Sequence, residues 1–515
     1  MQQSAQRQCS NRLTAAGAVW PRCRKEVAGP IKVLDLQQKH VYIVAWQGFK
    51  LIQKCAQRTI GSSRTVGASM KKILLINPAY KESLHSNIKV LAIPPLNLAM
   101  IARYTPEEYE VEIVDEAVED LDLNASADLV GITCMTPLAP RAYELATHFR
   151  QRGIPVVMGG IHVSYMTDEA LRFADAVVVG EAENLWPQLL ADFERGRMQK
   201  VYRICEQPDI ENLAAPRRDL FRGDYFVETV QTGRGCPINC NFCSVTAFNG
   251  PRYRTRNIDN VIDEINAIKA KRIFIVDDNI VGAGRKFVRR AKDFFDRLTE
   301  CNKEWAGQTC LNIVEHEDVL QSAQDSGCKA FLIGFESIDP VTVDAMHKAV
   351  NLRPNTRNFR DSIKKIHDHG IAIVGCFIFG ADGQGTDVFR RTIDFAMENE
   401  IDAIQMTLET PLPGTAFYRQ MVEENRLLLA NFPNDWRHYT IFEPVFRMSH
   451  MSPREAYEGL LAAYAEVSSL SNSLKRGWRT WRNTHSLFST GISFSWNYHA
   501  YKTIRNTSTP LATMG

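Results

Sequence analysis

Two successive runs of short apolar segments, each separated by helical patterns, constrain what this chain can fold into. In the first run, from Lys71 to about Arg203, the segments are Ile73–Ile76, Val111–Val114, Leu129–Ile132, Val156–Met158 and Ala176–Val179. Helical stretches such as Pro95–Tyr104 and Ala139–Gln151 lie between them. Short buried strands alternating with helices predict an α/β fold with a doubly wound parallel sheet. The second run holds Phe226–Thr232, Arg272–Val276, Trp305–Leu311, Ala330–Phe335, Ala372–Phe379 and Ala403–Thr407, with helical patterns such as Asn260–Ala270 and Asp361–His369 between. Six β/α units predict a partial (β/α)6 TIM-like barrel, whose active residues belong at the strand C-terminal ends. A mainly helical segment follows, with a helix expected from Ser452 to about Leu470.

The expected boundaries are a poorly structured basic extension at 1–69, the first sheet at 70–204, a connector at 205–225, the barrel at 226–420 and the helical region at 421–515. Met70-Lys-Lys-Ile-Leu-Leu-Ile-Asn-Pro reads as a domain start. The leader reads as a translated upstream extension or a transit-like arm; the former is preferred and the leader is left out of the fold. The net charge of +2 hides a split: 1–69 carry +9, the residues after Glu466 carry +6 with no acid, and −13 remains for those between. Basic charge at the two ends, not on a folded face, argues against a nucleic-acid partner. No run of 18 apolar residues exists to span a membrane. Near the end, Lys475-Arg-Gly-Trp-Arg-Thr-Trp-Arg482 is followed by Phe488, Phe494, Trp496, Tyr498 and Tyr501. Two readings stay open for these aromatics: packing onto the barrel, or peripheral contact with a membrane interface.

The chemistry is concentrated in Cys236-Pro-Ile-Asn-Cys240-Asn-Phe-Cys243, set in Thr-Gly-Arg-Gly-Cys-Pro. Three thiolates in eight residues suit three corners of a cubane iron–sulfur cluster, and the next cysteine is Cys301. One iron is then left open for a ligand that is not protein. Zinc or structural thiols are the plain alternatives, but the paired C-x-x-C units or histidines that zinc uses are missing. Cluster chemistry and free thiols suit a reducing, cytoplasmic setting.

At these residues, with Phe242 before the last cysteine, the sequence resembles the radical S-adenosylmethionine (SAM) enzymes. The resemblance implies a [4Fe-4S] cluster on Cys236, Cys240 and Cys243 whose open iron binds the amino and carboxylate groups of SAM, cleaving it to a 5′-deoxyadenosyl radical. It further implies cofactor contacts at Phe242, at the end of strand two (Asp277, Asp278, Asn279), on strand three (Gln308, with Asn312 a second polar position), at the end of strand four (Glu336, Ser337) and on strand five (Ile378). Helix capping competes for one of Asp277, Asp278 and Asn279, and Cys376 reads as a packed small residue. Arg252, Arg254 and Arg256 fall near the cluster loop, with surface solvation expected for two of them.

The first sheet looks like the cobalamin-binding domain of one branch of that superfamily, through Pro94-Pro95, Gly159-Gly160-Ile161-His162 and Val179-Gly180-Glu181. Cobalamin contacts are implied at Thr133, Thr136, Gly159, Gly160, His162, Gly180 and Glu181. The D-x-H-x-x-G pattern of a lower axial histidine is missing, which implies cobalt without a histidine below it; His162 is read as a polar contact. A domain that binds nothing and only caps the barrel is the alternative.

The function so implied is methyl transfer to an unactivated carbon of a small-molecule or lipid-like substrate. The alternatives are a radical SAM oxidoreductase, cyclase or C–C coupling enzyme, or a non-enzymatic Fe–S or cobalamin sensor. A low-potential donor such as a flavodoxin or ferredoxin would supply the electron, and a monomer is expected.

Overall fold

The computed structural model describes residues 70–80, 93–204, 206–223 and 225–506. The expected extension at 1–69 lies outside the described residues.

The first sheet is wholly parallel, with strands β1 (Lys71–Asn77), β2 (Tyr109–Asp115), β3 (Leu129–Thr133), β4 (Val156–Gly159), β5 (Ala176–Val179) and β6 (Val201–Arg203). Their order is β2-β1-β3-β4-β5-β6. In β1, Ile73 and Leu75 face one side, against the helices Leu96–Arg103 and Trp186–Glu194, while Leu74 and Ile76 face the other, against the helix Ala139–Gln151. Both faces of β1 are covered, which is why its sequence is a continuous apolar run and not an alternation. Strand β6 (Val-Tyr-Arg) was not expected; its three residues form an edge strand held by β5, too short to show a period.

The second sheet comprises β7 (Glu228–Val230), β10 (Arg272–Ile275), β11 (Glu304–Thr309), β12 (Cys328–Glu336), β13 (Ala372–Phe379) and β14 (Ala403–Leu408), all parallel, in the order β14-β13-β12-β11-β10-β7. Its two ends do not pair, so it is the expected partial barrel. Between β7 and β10 the chain forms a small antiparallel pair, β8 (Gly233–Arg234) with β9 (Arg254–Thr255), which brackets the cysteine loop. Strand one is shorter than expected: β7 leaves Phe226 outside, where its ring stacks on Phe488. Strand three also ends early, at Thr309, because Leu311–Glu315 turn into a 3-10 helix.

The barrel is followed by an irregular segment and then by helices Pro453–Val467, Leu470–Thr484 and Leu487–Asn506. Ser452 caps the first of these with a complete capping box to Glu455. Trp436, Tyr439 and Val445 join the core of the first sheet, not that of the barrel. The chain therefore returns from the barrel to clasp the N-terminal domain.

Candidate active site

The three cysteines lie on the loop between β8 and the helix Ser244–Asn249. Gly235 shapes the entry: φ is +89°, and a Cβ there would lie 2.4 Å from the Arg252 carbonyl oxygen. The carboxylate of Asp278 accepts from Gly235 N at 3.0 Å and from Asn249 Nδ2 at 3.1 Å, pinning both sides of the loop. Burial pushes the Asp278 carboxyl up to about 6. Asp277 is fully buried, and its oxygens accept from Thr232 N at 2.5 Å, Thr232 Oγ1 at 2.6 Å and Tyr253 OH at 3.2 Å. Both aspartates thus hold the loop.

Cys236, Cys240 and Cys243 are half-buried free thiols. Burial drives the Cys240 thiol up to about 12 and raises Cys243 as well, so thiolates here need a cationic partner. Iron meets that need. Among the described residues no three Cys, His or carboxylate side chains converge to hold a single ion.

Around the loop stand the strand ends. Glu336, ending β12, sits at φ +63° where the β12–β13 register shifts. It is buried and ion-paired with Lys348, which is also buried. Burial alone would lower the Lys348 pKa, but Glu336 raises it above the ordinary range and keeps the ammonium charged. Ser337 is buried; its Oγ accepts from Asp339 N at 3.1 Å and Gln384 Nε2 at 3.4 Å. Asn279 donates to Cys310 Sγ at 3.5 Å and accepts from Gly282 N at 3.3 Å. Asn312 donates to the Gly282 carbonyl, leaving Oδ1 buried without a partner. Gln308 and Ile378 are half-buried on β11 and β13, and Phe242 packs beside Phe417 and Phe446. Sequence reasoning passed over Lys348 and Cys310. The latter follows the end of strand three and hydrogen-bonds Cys236, a proximity that 73 intervening residues conceal.

The strand ends of the first sheet approach the same loop. The helix Ile161–Tyr165 touches the cluster-loop helix Ser244–Asn249, and the Tyr165 ring lies on the Gly414 turn. Glu181 and Glu183, just beyond β5, form buried ion pairs with Arg234: Nη1 to Glu181 and Nη2 to Glu183, each 2.5 Å. Arg254 also pairs with Glu181. Arg256 is buried against Glu264 at 2.7 Å, so only Arg252 of the three loop arginines is exposed, against the two expected.

Several residues expected to meet cobalamin are already engaged. His162 is 0% exposed, its Nδ1 3.3 Å from Thr136 Oγ1 and its Nε2 3.3 Å from Glu169. Burial lowers the pKa of this imidazole and favours the neutral form. Trp436 Nε1 donates to the same carboxylate at 3.0 Å, so the network clasps the C-terminal segment. Glu181 is spent on the arginines. A Cβ on Gly160 would meet the Cys134 backbone, and one on Gly180 would meet Ile204. Thr133, Gly159 and the exposed Met135 remain at the open strand edge, with Asn97 donating to Thr133 Oγ1 at 2.8 Å. This edge, at the β1/β3 switch point, offers a hydroxyl and an apolar side chain to a ligand.

Residues 230–396 match the Radical SAM superfamily, and residues 90–190 match the B12 binding domain. The chain therefore carries a B12 binding domain followed by a radical SAM domain. It is 29% identical to the bacteriochlorophyllide d C-12(1)-methyltransferase of Chlorobaculum tepidum, covering 79% of this chain and 90% of that one. It is 26% identical to the hopanoid C-2 methylase of Rhodopseudomonas palustris, covering 70% and 72%. The radical SAM methyltransferase TsrM from Kitasatospora setae, solved with cobalamin and a [4Fe-4S] cluster, superposes with a TM-score of 0.59 at 16% identity, over 77% of this chain and 88% of that one. The two sheets and their order are thus those of a known enzyme fold, and this radical SAM protein is an enzyme whose cofactors are a [4Fe-4S] cluster, SAM and cobalamin.

Proposed function

We propose that this enzyme methylates an unactivated carbon, with Cys236, Cys240 and Cys243 holding the cluster. When bound, the cluster supplies the electron that cleaves SAM to a 5′-deoxyadenosyl radical, and cobalamin supplies the methyl group. The observation that carries the reading is the meeting of the two strand-end surfaces at the cysteine loop, through Arg234 with Glu181 and Glu183 and through Tyr165 on the Gly414 turn. Methyl transfer from one cofactor to a radical made by another needs both within reach of one substrate carbon, and these contacts support that proximity.

The chain's own residues have distinct parts. Asp277 and Asp278 hold the loop. Glu336, Ser337, Asn279, Gln308, Ile378 and Phe242 are the residues we assign to SAM, with Glu336 and Lys348 offering a paired charge to an amino-acid moiety. Thr133, Met135 and Gly159 line the cobalamin edge. The names of the relatives, a bacteriochlorophyllide and a hopanoid, make small-molecule and lipid-like acceptors the first class to screen. A flavodoxin or ferredoxin as donor, a monomeric state and a cytoplasmic setting with peripheral membrane contact complete the proposal.

The test is anaerobic reconstitution with iron, sulfide and cobalamin, followed by mass analysis of the products of SAM. Methyl transfer yields both 5′-deoxyadenosine and S-adenosylhomocysteine. 5′-Deoxyadenosine alone would assign oxidation, cyclisation or coupling instead, and neither product would leave a sensor. Cys243→Ala should remove the cluster absorbance and both products.

A further inference from the structure

The helix Leu470–Thr484 is inverted. Its buried face consists of Ser473, Arg476, Gly477 and Thr480, while its large apolar residues point outward. Leu470, Leu474, Trp478 and Trp481 are 70%, 56%, 62% and 42% exposed. Steps of four, four and three residues align them in one stripe. The stripe continues onto the next helix, where Phe494 and Tyr498 are 44% and 52% exposed and Phe494 lies beside Gly477. The two indoles stack on each other at 5.3 Å. Packing onto the barrel therefore accounts for Phe488, which stacks on Phe226, but not for this stripe.

Charge selects what covers it. Lys475 is exposed next to Leu474, and Arg482 next to Trp481. Glu400 beside them is neutralised by Arg479 and Arg482. Everything after Glu466 carries +6 with no acid. A second copy docked stripe on stripe would set these basic residues against their own equivalents. The residues between, at −13, oppose contact of the rest of the molecule with an anionic surface. We propose that the face formed by these two helices docks in the plane of an anionic phospholipid bilayer, with Trp478 and Trp481 at headgroup depth and the basic residues on the lipid phosphates. Among the described residues no helix is long and apolar enough to cross a membrane, so the attachment is peripheral. The inference stands whether or not methyl transfer is the reaction.

Flotation of the full-length protein with phosphatidylcholine vesicles, with and without one-quarter phosphatidylglycerol, tests it. Binding is expected to the anionic vesicles, weakening about tenfold as salt rises, with tryptophan emission quenched by brominated acyl chains. Trp478→Ser with Trp481→Ser should weaken binding about tenfold and abolish the quenching, at an unchanged unfolding midpoint. Lys475→Glu with Arg482→Glu should give a similar loss at low salt only. No binding to anionic vesicles, undiminished binding by the tryptophan variant, or a dimer that this variant dissolves without any vesicle binding would each overturn the proposal.

Discussion

Replacing Arg234 with Met isolates the contact that joins the two domains at the cluster loop. Arg234 is buried, with Nη1 and Nη2 each 2.5 Å from Glu181 and Glu183 and Nε 2.8 Å from Gln231 Oε1. Burial alone would lower its pKa, but Glu183 and then Glu181 raise it above the ordinary range. Methionine keeps most of the volume and removes the charge. Glu181 retains Arg254, whereas Glu183 loses its cation and already has Oε2 unpartnered. One uncompensated buried carboxylate then remains, a loss of about 3–5 kcal/mol if it stays ionised. Protonation limits that loss. Glu183→Gln in the same chain should restore about 2 kcal/mol, a coupling that a double-mutant cycle reads directly. The assay is anaerobic guanidinium unfolding followed by tryptophan fluorescence, with iron content measured alongside because Arg234 lies two residues before Cys236. A single variant within 1 kcal/mol of wild type, or a double variant no better than the single, would refute the reasoning.

Gly334→Ala places a methyl group on the Glu336–Lys348 pair; a cost of about 2 kcal/mol and roughly tenfold weaker SAM binding by anaerobic calorimetry are expected, and unchanged affinity would remove Glu336 from the SAM site. Burial, then the charge of Asp382, pushes Glu409 from 4.5 to about 8. The folded chain therefore keeps a proton that the unfolded chain releases, and stability should fall by on the order of 4 kcal/mol as pH rises between those values. In Glu409→Gln this slope should vanish from unfolding midpoints measured across the range, and a slope that persists would assign it elsewhere. Cys310→Ala should retain the cluster and its SAM-dependent electron paramagnetic resonance shift, since three thiols suffice; loss of the cluster would make Cys310 a fourth ligand and close the open iron.

Long apolar runs such as Ile73–Ile76 and Ala372–Phe379 were legible as buried strands because both of their faces are covered, and the cysteine spacing was legible because all three thiols lie on one loop. Charged partners were not. Glu181 stands at a glycine-ended strand, where sequence reasoning expects a ligand, yet its oxygens meet Arg234 and Arg254, 53 and 73 residues away. His162 follows two glycines in the same way and is consumed by Thr136 and Glu169. A polar residue at a strand end carries the same local signal whether it faces a ligand or another domain.

Local sequence determined the periodicities, the caps and the cysteine loop, since each depends on neighbours within a few residues. It also showed that the ends were basic. Only the tertiary structure decided which carboxylates were free for chemistry, that Lys348 and Cys310 belong beside the cysteines, and that Trp478 and Trp481 face outward while Trp436 is buried. Ion pairs and burial are set by what the chain brings together across scores of residues, and no local pattern encodes the identity of that distant partner.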